Sequence, residues 1–158
     1  MTDERKQEFT LRITQANATG LTVILYEMLL TYIDEAKAAC EAKEQNALQS
    51  SIRAARGCLE ELMNSLNLSY EIAGNLMSLY LYVNRELLQS QIKKDVQRLV
   101  QAEGVIRPLY EAYLEVSAQD ASAPLMQNTQ TVVAGMTYGR DCLTESMEDQ
   151  GASRGYFV

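Results

Sequence analysis

Apolar residues return every three or four positions along this chain, and that spacing restricts it to helices. Leu21, Ile24, Leu25, Met28, Leu29, Tyr32 and Ala36 form one such stripe, preceded by Asn17, a residue suited to N-capping. A second stripe runs from about Gln45 to Leu66 through Leu48, Ile52, Ala55, Leu59, Leu62, Met63 and Leu66. Its wet face carries Gln49, Arg53, Arg56, Glu60 and Glu61. A third begins near Ser69-Tyr70 and uses Ile72, Leu76, Leu79, Tyr80, Val83 and Leu87. The fourth, from about Lys93 to Val116, uses Val96, Leu99, Glu103, Ile106, Tyr110 and Tyr113. Gly104 and Pro108 lie within it, and the N–H that Pro108 lacks predicts a bend. No segment alternates with the period of two that a half-buried strand needs.

Short connections place successive helices antiparallel, each hiding its stripe against the others. The expected fold is all-α: an antiparallel up-down four-helix bundle over residues 17–118. An N-terminal segment, 1–16, precedes it and a C-terminal tail, 119–158, follows. The tail holds four of the eight glycines and is rich in Ser, Thr, Asn and Gln, so it has little core of its own. Within it Leu125, Met126, Val132, Val133 and Met136 keep apolar spacing. That stretch, to Met136, is expected to dock back on the bundle, in an apolar groove of the chain's own when nothing else is bound there.

Composition removes several functions. With no histidine there is no imidazole base, no Ser-His or Cys-His pair and no histidine ligand for a metal. A carboxylate-type metal bundle needs Glu-x-x-His pairs, so neither a metal site nor a cofactor is expected, and no enzyme activity. Glu60 and Glu61 point about 100° apart on a helix and make no site between them. Cys40, Cys58 and Cys142 are an odd number without C-x-x-C spacing, which suits free thiols in a reducing compartment. A net charge of −7 with only 14 Lys and Arg disfavours nucleic acid. No apolar run reaches the roughly 20 residues of a membrane span, so no membrane insertion is expected. Met1-Thr2-Asp3-Glu4-Arg5-Lys6 lacks the apolar stretch of a secretion signal; a cytoplasmic location is expected.

Two of the helices carry more apolar surface than one buried face uses. Val23, Tyr26 and Leu30 lie about 140° from the first stripe, and Met77, Leu81 and Leu88 about 130° from the third. Gly74 sits beside the latter, where a missing side chain admits a close backbone. Tyr26 and Tyr82 fall outside the main stripes and offer bulk with a hydroxyl. These eight residues are the candidate partner-binding set, a groove for an apolar helix or peptide. A more central place in the bundle, or self-association of a structural oligomer, would use the same faces.

Particular phrases carry a resemblance. Leu21-Thr22-Val23-Ile24-Leu25-Tyr26-Glu27 is similar to the first-helix signature of the flagellin export chaperones, the FliS family. Ile72-Ala73, Leu76, Leu79-Tyr80 and Tyr82 resemble a later pattern of that family, and Lys94-Asp95-Val96 stands where it often opens a helix with aspartate. The likeness covers about residues 8 to 116. Met63 stands where the family commonly has arginine, Tyr113 near a frequent tryptophan, and Met28 at a usual glycine. The resemblance implies a cytosolic chaperone that binds the disordered C-terminal segment of flagellin, prevents premature polymerisation and serves type III secretion. Other flagellar regulators are further partners it suggests, and a monomer or weak dimer is the expected state.

Overall fold

Asn17 opens the helix with the most buried residues among those described: its Oδ1 accepts from the backbone N–H of Gly20 at 2.8 Å, which satisfies one of the free donors of the first turn. In the computed structural model, which describes residues 1–126, the chain forms five helices. They are α1 (Asp3–Gln15), α2 (Ala18–Glu41), α3 (Gln45–Asn64), α4 (Glu71–Lys93) and α5 (Val96–Gln119). Met1–Pro124 make one compact unit; Leu125 and Met126 belong to a second. From residue 127 the stretch expected to fill the chain's own groove lies outside the described residues. The structure is all-helical among those residues, as the periodicity demands.

Helix ends follow the sequence closely. Asp95 caps α5, accepting from the N–H of Gln97 at 3.0 Å, and Lys94 turns left-handed with φ 55° to end α4. Pro108 does not end α5. It stands on the exposed side, and the carbonyl it deprives of a partner belongs to the exposed Gly104, four residues earlier. Water can satisfy that carbonyl, so the helix continues.

Packing centres on α2, which lies against α3, α5 and α1, while α4 packs on α5 and α3. Leu29, Ile33, Leu59, Leu62, Val83, Leu87, Leu99 and Ile106 are fully buried between them. A second cluster joins Phe9 and Ala16 to Ile24 of α2, with Ile13, Leu21 and Met28 beside them. Residues 1–16 are thus no plain leading segment. Most of them form α1, whose apolar residues Phe9 and Ile13 are spaced one turn apart. Phe9 sits between Arg5 and Arg12, whose guanidinium carbons lie 5.2 and 5.6 Å from its ring centre. Arg12 also donates twice to Glu27 of α2, at 2.9 and 2.7 Å.

Because α1 touches little beyond α2, its docking sets an upper limit on what a substitution there can cost. Phe9→Ala is expected to release α1 without unfolding the rest. Hydrogen exchange should then show α1 amides losing protection while those of α3 and α5 keep theirs; uniform loss across the chain would count against this.

A polar tie joins α2 to α5. Lys37 pairs with Glu103, which also accepts from Arg107 at 2.7 Å. The hydrogen bond from Lys37, then that from Arg107, holds the Glu103 carboxyl below its ordinary value. A depressed folded-state value adds stability above the unfolded pKa and loses it as pH falls through the folded one. Glu103→Gln should therefore make the fall in Tm between about pH 5 and 3 shallower, with the two chains converging at the acid end. Parallel curves for the two chains would refute the assignment.

Candidate functional site

Three of the eight candidate residues are not on the surface. Val23, Tyr26 and Leu30 are 4, 0 and 6% exposed, which corrects their placement on an outward stripe. The physical reason is α1. It covers Leu21, Ile24 and Met28 on the outer side of α2, so the stripe taken for the core is shared between two clusters. The supposedly surplus stripe turns inward, and Tyr26 and Leu30 join the main core. An amphipathic helix with two apolar faces is here a central helix with neighbours on both.

Tyr26 reaches α4 and α5 from that position. Its hydroxyl shares a hydrogen bond with that of Tyr80, and its ring lies 5.5 Å, centre to centre, from Tyr113. Burial pushes the pKa of both hydroxyls of the pair up, so both stay neutral. Each phenol buries its ring and satisfies its polar end on the other, as a buried tyrosine must.

The α4 residues behave differently. Leu81 is 50% exposed, Met77 and Leu88 are half-buried, and Gly74 is exposed, with nothing within 4 Å of where a Cβ would sit. At 100° per residue these four fall within roughly 60° of one another. They share the flank turned toward α3, where Asn84 accepts from Arg56 Nε at 2.9 Å and Leu88 lines the same hollow as Ile52. Tyr82 is half-buried and lies roughly 120° away on the wheel, its ring 5.9 Å from the Arg85 guanidinium carbon. The structure therefore brings together Gly74, Met77, Leu81 and Leu88, and sets Tyr82 apart.

Other apolar surface was hidden in the stripes. Ile72 and Leu79, spaced as core residues, are 66 and 38% exposed. Leu79 lies roughly 70° off the mean direction of Leu76, Tyr80, Val83 and Leu87, an offset visible on a helical wheel. Ile72 is in the first turn of α4, where no neighbouring turn covers it. With Tyr70 it borders an open hollow of about 210 Å³, lined also by Leu66, Leu76, Tyr80 and Tyr113. Leu68 and Tyr70, in the link between α3 and α4, are exposed as well.

Among the described residues no group of three or more carboxylates and thiols could hold a metal. Burial pushes the Cys58 thiol up to about 11, which leaves it protonated and unreactive at neutral pH. Among the same residues no helix is long and apolar enough to cross a membrane.

The family model described as flagellar protein FliS matches residues 1–120. The chain is also 28% identical over 101 residues to the flagellar secretion chaperone FliS of Bacillus subtilis (strain 168), covering 64% of this chain and 76% of that protein.

Proposed function

The chain belongs to the FliS family of flagellar secretion chaperones, and on that premise we propose that it captures the C-terminal segment of flagellin. The family is one of chaperones, not enzymes. In this reading the chaperone holds the segment in the cytoplasm, prevents its premature polymerisation and keeps it competent for type III secretion. Helices α2–α5 act as an antiparallel up-down four-helix bundle, with α1 laid on the outer face of α2. The chain works as a monomer or weak dimer, and other flagellar regulators are further candidates for its surface.

The observation that carries this reading is the open apolar flank of α4. Gly74, Met77, Leu81 and Leu88 line up on a chain whose net charge is −7. A client helix laid there would bury several apolar side chains, each worth about 1.5–3 kcal/mol before ordering costs. The chain's net negative charge would keep the complex soluble. Tyr82, on the other flank, would serve a client that wraps around α4; Val23, Tyr26 and Leu30 act from inside, by holding α2 against α4. Calorimetry of the full chain with the flagellin C-terminal segment tests the proposal. Binding in the micromolar range or tighter is expected, and absence of binding at that level would remove flagellin as the client.

A further inference from the structure

We infer that the groove between α3 and α4 selects its client by charge as well as by apolar fit, and takes a helical segment with carboxylates along one edge. The inference rests on the chaperone reading above and names the chemistry of the client at that surface. Its basis is the unusual state of three arginines. Among the described residues Arg5, Arg12, Arg98 and Arg107 each lie within 4.0 Å of a carboxylate. Arg53, Arg56 and Arg85 form no such pair, although acidic residues outnumber basic ones 21 to 14 in the chain. Arg85 faces the Tyr82 ring. Arg53 and Arg56, both exposed on α3, face the groove.

Arg56 is the more telling. Glu60 stands one turn further along the same helix, yet the guanidinium forms no ion pair with it and donates through Nε to Asn84 of α4. That bond holds the fork across the gap between the helices. Among the described residues it leaves the terminal N–H groups unused, and these can receive a carboxylate through two bonds. Arg53 and Arg56 together line two hollows, of about 360 and 170 Å³, which share those residues and so adjoin. Met63 and Leu88 supply apolar surface to one each. Among the described residues Glu60 is the single carboxylate in their lining, so the groove is locally positive on an acidic protein.

Dimensions fit a helix. From Gln49 to Met63 the groove follows roughly 20 Å of α3, about 14 residues of helical client. Arg53 and Arg56 are three residues apart, so carboxylates spaced three or four along the client would meet both. Apolar residues on the adjacent edge of the same helix would reach Met77, Leu81 and Leu88. The pairing contributes selectivity and speed of encounter more than raw affinity.

The test is calorimetry of the full chain against the flagellin C-terminal segment at low and high salt, using the wild type and the Arg53→Glu, Arg56→Glu double variant. Both residues are exposed, and unchanged circular dichroism melting serves as the control for folding. We expect the wild type to bind several-fold more weakly at high salt. The double variant should bind about tenfold or more weakly at low salt and lose that salt dependence. A client in which Asp and Glu are replaced by Lys should bind the double variant better than the wild type. Equal affinities for both chains, without salt dependence, would overturn the inference and leave the chaperone reading standing. No binding by the wild type would overturn both. A dimer of the free chain that dissociates on the double substitution, with client affinity unchanged, would assign the groove to a second copy and overturn the inference as well.

Discussion

Leu81→Asp is expected to weaken capture of the flagellin C-terminal segment about a hundredfold, the equivalent of about 2.7 kcal/mol. The side chain is half exposed in the free protein, so the substitution opens no cavity in the core. In a complex it removes a buried leucine and places a carboxylate in an apolar contact, two losses that add. The helix itself tolerates the change, since Arg85 follows one turn later and the cost of aspartate in a helix interior is below about 1 kcal/mol. Tm should therefore move by only a few degrees. Calorimetry and thermal melting on the same sample check both halves. Affinity within threefold of the wild type would show that the client does not use this flank of α4. A collapse in Tm would show that Leu81 belongs to the core.

The opposite pattern is expected for Tyr26→Ala, with a loss of stability of about 3–5 kcal/mol. For a unit of this size that amounts to roughly 10–20 °C in Tm. Tyr26 is completely buried between Tyr80 and Tyr113, and its truncation leaves a ring-sized cavity together with a stranded Tyr80 hydroxyl. Tyr26→Phe separates the two contributions. It keeps the ring and should cost about 1–2 kcal/mol for the unpaired hydroxyl. The double variant with Tyr80→Phe should recover part of that, because no orphaned polar group remains. Denaturant unfolding reads all three. A Tyr26→Ala protein as stable as the wild type but unable to bind its client would return Tyr26 to the surface. Tyr26→Asp is for this reason a test of folding, whereas Leu81→Asp is a test of binding.

The helices themselves were legible because their signals are local. Asn17 and Asp95 cap with their own side chains, and the apolar stripes repeat at the helical period. The family likeness is equally a property of ordered phrases such as Ile72-Ala73, Leu76 and Leu79-Tyr80, and needs no coordinates. The α1 helix was missed because its apolar signal is sparse, Phe9 and Ile13 among charged neighbours, and only its contact with α2 gives it a buried face. The candidate surface was half legible. Leu81 lies exposed and Met77 and Leu88 are half-buried, while Val23, Tyr26 and Leu30 are sealed in the interior.

Sequence alone determined that this chain is helical, that α2 begins after Asn17, and that it lacks the side chains for histidine-based chemistry. It also determined that two helices have apolar residues on more than one side. Which of those sides meets solvent was decided only by tertiary structure, because periodicity gives the angle between two stripes and not the neighbour that each one meets. On α2 the presence of α1 turned both stripes inward. On α4 no helix among the described residues covers the second stripe, and Arg53 and Arg56, 20 or more residues away along the chain, became its neighbours only when α3 folded back beside it.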